Sequence, residues 1–139
     1  MVKYKNLEGR FSNHIESSVD WALQNLDKIT DQKLRECVKK RLEKDGTIRI
    51  RRTPQEDKEK PDSHDCYTNS MLGGQNKAYS VKRWEISSKE IAICIDNLDT
   101  MNELNSLSDY IIHEFAHSCG WRHGQGKGIP FPDGHPNEL

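Results

Sequence analysis

Apolar residues are scarce in this chain, and that scarcity limits the core that it can build. Leu, Ile, Val and Phe supply 28 of its 139 residues, a share at which disorder becomes plausible. The formal net charge is only −1, and such a low charge argues against a fully disordered chain. We therefore predict a single domain over residues 1–139, with a small core, long polar loops and a use for a stabilising metal ion.

The balance of charges and the shortness of the apolar runs exclude several classes of protein. Lys and Arg number 21 and Asp and Glu number 22, so we expect no nucleic-acid partner. The longest apolar run, Ile91 to Ile95, has five residues, whereas a membrane span needs about 20. The first residues lack the apolar stretch of a secretory signal. We expect a cytoplasmic location by default, with export by another route left open.

Four cysteines allow two disulfides in three possible pairings: Cys37, Cys66, Cys94 and Cys119. No two of them have the C-x-x-C spacing of a structural zinc knuckle. Because no secretory signal is visible, free thiols are the expected state. Cys119 is expected to be a packing residue or half of a disulfide, and not a metal ligand.

The spacing of apolar residues predicts an α+β fold with N-terminal helices, a small mixed sheet and a loop-rich C-terminal end. The predicted elements are helices over residues 14–29 and from Thr30 or Asp31 to about Lys44, strands Thr47–Arg52, Ala78–Ile86 and Ile91–Ile95, and a helix from Ser106 to Gly120. Ser106, with Asp109 three residues later, is similar to a capping box. Residues 53–65 are almost wholly polar and predict an exposed loop, and residues 121–139, with four Gly and three Pro, predict irregular structure.

The last predicted helix carries the pattern H-E-x-x-H. Residues four apart share one helical face, so His113 and His117 can direct their imidazoles at a common ion. Neutral imidazole nitrogen is a preferred zinc ligand, and Glu114 can reach a water bound to that ion without binding it directly. Gly120 can end the helix in a left-handed conformation. The chain can then bring His123 round as a third ligand, which leaves one coordination position open.

These eleven residues resemble the signature of the metzincin zinc peptidases, H-E-x-x-H-x-x-G-x-x-H. All five defining positions match: His113, Glu114, His117, Gly120 and His123. The resemblance implies a zincin-like fold, Zn²⁺ held by the three histidines, and Glu114 as the general base. It also implies an edge strand before the active-site helix, along which substrate adds as an extended strand. Ile91 to Ile95 stands at that position, although an ordinary buried strand is the favoured interpretation of it.

The chain departs from the metzincin pattern after the third histidine. Metzincins carry a Met-containing turn beneath the metal, but Met1, Met71 and Met101 all precede His123. Ile129 or Phe131 could form that floor in a divergent or minimal zincin. Other third ligands stay open: Glu138 as in gluzincins, Asp133 as in aspzincins, or His135. The motif is also faintly similar to zincin-like domains of antirestriction proteins and to small proteases that cleave phage repressors.

The expected function is that of a zinc metallopeptidase acting on a peptide or protein substrate, with a metal-bound water activated by Glu114. Tyr110, Trp121 and Arg122 are candidates to stabilise the oxyanion, and nothing in the sequence selects one of them. A first alternative is a zinc hydrolase of a phage or antibacterial effector that cleaves peptidoglycan cross-links. A second alternative is a non-catalytic zinc-binding module, such as an antirestriction or adaptor protein. A disulfide would favour the exported effector.

Overall fold

The computed structural model describes residues 1–7, 9–51, 78–83, 86–94 and 104–130. These residues form a mixed α+β structure, which confirms the predicted class. The elements in chain order are β1 (Lys3–Lys5), α1 (Gly9–Gln24), α2 (Gln32–Lys40), β2 (Thr47–Arg51), β3 (Ala78–Arg83), β4 (Ile86–Cys94) and α3 (Leu104–Ser118). Within this described part, no helix has both the length and the apolar character needed to cross a membrane.

The first helix ends earlier than its apolar stripe suggests. Ile15 and Val19 on α1 are buried, and so are Leu26 and Ile29 beyond its end. Residues Leu26–Lys28 form a 3-10 turn, closed by the Ile29 amide donating to the Leu26 carbonyl at 3.0 Å. A spacing of three fits this tighter turn as well as an α-helix. The stripe therefore predicts burial correctly, while the predicted helix over 14–29 is displaced from the observed α1.

The second helix begins and ends where the sequence predicts. The Asp31 carboxylate accepts a hydrogen bond from the Leu34 amide at 2.9 Å, which caps the N-terminus of α2. A π-helical turn, Arg41–Asp45, extends α2 as far as Gly46. An added Cβ at Gly46 would lie 2.9 Å from the Phe115 ring. A residue without a side chain is thus required where α2 leads into the sheet.

In the described part of the chain, the sheet contains four strands in the order β1-β2-β4-β3. β1, β2 and β4 are parallel, and β3 is antiparallel to β4. Ile48 lies beside Ile91 and Ile50 beside Ile93, so one sheet face carries the buried isoleucines that pack with the helices. β1 is too short to show a hydrophobic period, and the sequence did not predict it.

The last two strands differ in their bounds from the prediction: β3 ends at Arg83 and β4 already begins at Ile86, the residue at which the first of the two predicted strands ends. β4 runs from Ile86 through polar residues that lie between the two predicted strands. Glu90 is only 6% exposed, and its buried carboxylate is stabilised because the Lys5 ammonium lies 2.7 Å away. β4 has neighbours on both sides, so the described part of Ile91–Ile95, which ends at Cys94, is not an edge strand. The favoured interpretation, a buried strand, is confirmed for Ile91, Ala92 and Ile93.

Helix α3 lies against the sheet and α1, and its apolar residues are central to the core. Leu107, Ile111 and Phe115 are four residues apart and are each at most 1% exposed. The helix begins by Leu104, so Ser106 lies within it and the predicted capping box at Ser106 is wrong. Stabilisation of the helix comes from packing of this buried stripe rather than from a cap at that residue.

The expectation of free thiols is wrong for two of the four cysteines. Cys37 on α2 and Cys119 just after α3 form a disulfide across 82 residues of sequence. A disulfide that closes a loop of this length lowers the conformational entropy of the unfolded chain. In the chain-entropy model this raises the free energy of the unfolded state by about 4–5 kcal/mol. The pairing depends on α2 lying beside the end of α3, and the spacing of the cysteines does not encode that. Cys66 and the predicted polar loop over 53–65 lie outside the described residues.

Candidate metal centre

Three histidines approach one another at the end of α3. His113 is fully buried, His117 is half-buried and His123 is exposed. The helix stops where Gly120 adopts a φ of +91°, and the Trp121 amide then donates to the Ala116 carbonyl at 3.0 Å. This is the left-handed helix end that glycine favours. It reverses the chain and returns His123 to the face that carries the other two rings.

The three Nε2 atoms form a nearly equilateral triangle. The Nε2 atom of His113 lies 3.0 Å from that of His123 and 3.2 Å from that of His117, and the third side is 3.1 Å. Nitrogen ligands placed tetrahedrally around zinc are about 3.3 Å apart, because each lies about 2.0–2.1 Å from the ion. The spacing of the three atoms is therefore close to that of a zinc-ligand set.

Backbone carbonyls determine which ring nitrogens carry protons. The Nδ1 atom of His113 lies 2.8 Å from the Pro130 carbonyl oxygen, and that of His117 lies 2.9 Å from the Trp121 carbonyl oxygen. A carbonyl only accepts, so both Nδ1 atoms must be the donors. In the neutral rings both Nε2 atoms then present lone pairs toward the centre of the triangle. A cation at that centre resolves the repulsion between them, and carbonyl partners of this kind orient histidine ligands in metal sites.

The third ring is also suited to binding as a neutral imidazole. Desolvation lowers the pKa of His123 below its usual range. The shift favours the uncharged form, which alone has a free lone pair for a metal. Within the described part of the chain, these three histidines are the group that could hold an ion. Glu138, Asp133 and His135, the other third-ligand candidates, lie outside the described residues.

An indole ring packs against all three histidines, a contact that the sequence did not predict. The ring centroid of Trp121 lies 5.1 Å from that of His113, 5.0 Å from that of His117 and 5.7 Å from that of His123. Trp121 is 3% exposed, and its indole N–H donates to the Gly126 carbonyl at 3.1 Å. That bond argues against its suggested role at an oxyanion. Its position directly after the helix-ending glycine is the one signal that could have indicated the contact.

The segment after α3 is held against the turn that precedes α2. The Thr30 amide donates to the Lys127 carbonyl at 2.9 Å. Gly128 has a φ of +77°, and a Cβ there would overlap the Lys28 carbonyl. Ile129, proposed as a replacement for the Met-containing turn, is 4% exposed and belongs to the core. Residues 121–130 are irregular, as predicted, but they are anchored at several points.

The remaining predicted residues differ in exposure. Glu114 is on α3 directly after His113 and is only 4% exposed. Tyr110 is buried as well, whereas Arg122 is exposed beside His123. Burial thus shields the Glu114 carboxylate from bulk water.

Comparison of the chain with protein-family models, with curated proteins and with solved structures finds no match. The geometry of the histidine triad and its surroundings is therefore the indication of what chemistry the chain supports.

Proposed function

We propose that this protein is a zinc-dependent hydrolase of peptide bonds. The observation that carries the proposal is the convergence of three imidazole Nε2 atoms within 3.2 Å, two of them fixed as lone-pair donors by backbone carbonyls. The cluster extends from a buried ring to an exposed one. Three protein ligands with an exposed side are typical of catalytic zinc sites, while structural sites are closed by four.

Different residues of the chain would hold the metal, transfer the proton and exclude water. When bound, zinc would lower the pKa of a coordinated water toward 7 and polarise a carbonyl group. The Glu114 carboxylate would accept the proton of the attacking water on one of its oxygens and later deliver it to the leaving amide nitrogen. Trp121 would exclude water from one side of the histidines and hold their rings in place. A purely structural zinc site would need no proton acceptor.

Strand β3 is the position at which we expect an extended substrate to bind. Among the described strands it has one neighbour, β4, so its other edge has backbone groups that can pair with a peptide. The resemblance to metzincins implies a substrate-binding edge strand before the active-site helix. β3 takes that place here instead of Ile91–Ile95.

A second substrate class, the peptide cross-links of peptidoglycan, is favoured by the Cys37–Cys119 disulfide. Disulfides persist in oxidising compartments and are rare in the cytosol. An effector that works outside the cell would meet such conditions, and its target bonds are also amides. The same zinc site and the same Glu114 would serve both substrates.

The test combines zinc content with turnover on two substrates, a mixed peptide library and purified peptidoglycan. Glu114→Gln should bind one zinc per chain and lose at least about 100-fold in turnover, because only the proton acceptor is removed. His117→Ala should lose both zinc and activity. Glu43→Gln, on the turn after α2, is the matched control and should behave as the wild type.

Each alternative predicts a different result in this experiment. Zinc binding without cleavage of either substrate would indicate a non-catalytic module. Wild-type turnover by Glu114→Gln would show that this carboxylate is not the base. A wild-type protein that binds no zinc would contradict the metal site itself.

A further inference from the structure

The Cys37–Cys119 disulfide is reachable from solvent. Both cysteines are half-buried, and they line an open groove of about 300 Å³. Asp31, Lys33 and Lys127 also line this groove, together with Trp121. A small thiol can therefore approach the sulfur atoms without unfolding of the core.

The same disulfide is close to the metal centre along the chain. Cys119 follows His117 by two residues and precedes the Gly120–Trp121 step that reverses the chain. The Trp121 carbonyl accepts the hydrogen bond that orients His117. The disulfide thus fixes to α2 the short segment on which one ligand's orientation depends.

Two further contacts attach this region to the residues around α2. The Arg41 guanidinium donates to the Ser118 hydroxyl at 3.2 Å, next to the disulfide. At the far end of the segment, the Lys127 ammonium lies 3.9 Å from the Asp31 carboxylate. Between these anchors lie Trp121 and His123, so a change at the disulfide would be transmitted to the histidine triad and not to the distant β1.

We propose that Cys37–Cys119 is a thiol-exchange site whose redox state sets the metal affinity of the histidine triad. A thiolate of a low-molecular-weight thiol attacks one sulfur, forms a mixed disulfide and releases the other cysteine as a thiolate, which takes up a proton. A second thiol attacks the small-molecule sulfur of the mixed disulfide and releases the remaining cysteine. The protein gains two electrons and two protons, and two thiols are oxidised to one disulfide.

Reduction would remove the covalent link between the end of α3 and α2, leave only the weaker polar contacts there, and loosen the Trp121 carbonyl that orients His117. Loss of such a partner typically lowers metal affinity by 10–100-fold. We therefore expect zinc to bind tightly to the oxidised protein and at least about tenfold more weakly to the reduced protein. The inference depends on the metal site of the proposed function but not on catalysis.

The experiment measures the zinc dissociation constant of the full chain in both redox states. The protein is incubated with reduced glutathione, separated from it under argon, and titrated against a chromophoric chelator. Thiol counting and peptide mass mapping establish the state of the Cys37–Cys119 pair. The double variant Cys37→Ser/Cys119→Ser should have the zinc dissociation constant of the reduced protein, and glutathione should not change it. The double variant Cys66→Ser/Cys94→Ser should keep the wild-type redox response.

Hydrogen exchange separates a local effect from loss of the fold. Reduction should raise exchange over residues 117–130 and leave α1 and β2 protected. Equal zinc affinities in the two states, tighter binding on reduction, or a pair that glutathione does not reduce would each overturn the inference. Deprotection of α1 and β2 would overturn it too, because the disulfide would then support the whole fold. An oxidised protein that binds no zinc would remove the proposed function as well.

Discussion

At the scale of single residues, the backbone prepares the histidine cluster for a cation. The carbonyls of Pro130 and Trp121 accept from the Nδ1 atoms of His113 and His117. Each ring is therefore held in the tautomer whose Nε2 atom can bind a metal. The motif predicts which residues approach one another, but it is silent about these two carbonyls, because they lie 17 and 4 residues along the chain from the rings they orient.

Trp121 offers a test of packing at the centre. Trp121→Ala should lower the free energy of unfolding by about 3–5 kcal/mol, because a buried indole is removed. Trp121→Phe keeps an aromatic ring beside the histidines but loses the N–H bond to Gly126 and part of the buried ring volume, so its cost should be smaller, about 2 kcal/mol. Urea unfolding measures both. Equal costs for the two variants would mean that the hydrogen bond, and not the ring, stabilises the site.

At the scale of elements, the irregular segment after α3 is docked rather than free. Its far end packs against the turn before α2, where Gly128 meets the Lys28 carbonyl and Lys127 accepts from Thr30. Its near end is tied to α2 by the disulfide. The glycines and prolines of this segment predict irregular structure. They do not predict its attachment, which depends on where α2 begins.

Two glycines in this segment form a matched pair. Gly124 and Gly128 both have positive φ, but a Cβ at Gly124 would have nothing within 4 Å, whereas one at Gly128 would overlap Lys28. Gly124→Ala should therefore cost about 1–2 kcal/mol, from the left-handed conformation alone. Gly128→Ala should cost at least about 1 kcal/mol more, because the docked backbone must also move. Thermal unfolding compares them, and equal losses would show that the docking is weak.

At the scale of the whole molecule, the small apolar content is matched by connections other than core packing. A disulfide and the proposed zinc ion both act on the last described stretch, while the isoleucine face of the sheet and the helices form most of the core. A metal that binds the folded state stabilises it by mass action. In this chain, which has few apolar residues, the stabilisation by zinc would act on the segment after α3, to which the core contributes little.

Chelation should consequently loosen one end of the molecule before the rest. With zinc removed, hydrogen exchange should speed up over residues 119–130, because the repulsion among the histidine lone pairs returns. Exchange in α1 should change little, since its buried residues belong to the core. The measurement compares zinc-loaded and chelated protein at one pH. Uniform protection in the two states would argue that zinc does not order this segment.

The sequence by itself determined the helix of the motif, the side of it that carries two histidines, the glycine that ends it and the α+β class. All of these follow from local spacing, which the backbone geometry of a helix or strand converts directly into position. The tertiary structure decided the Cys37–Cys119 pairing, the interior position of β4, the carbonyls that orient the rings and the contact of Trp121 with all three histidines. Each of these depends on which distant segments lie side by side, and that results from how the buried faces of several elements pack together at once.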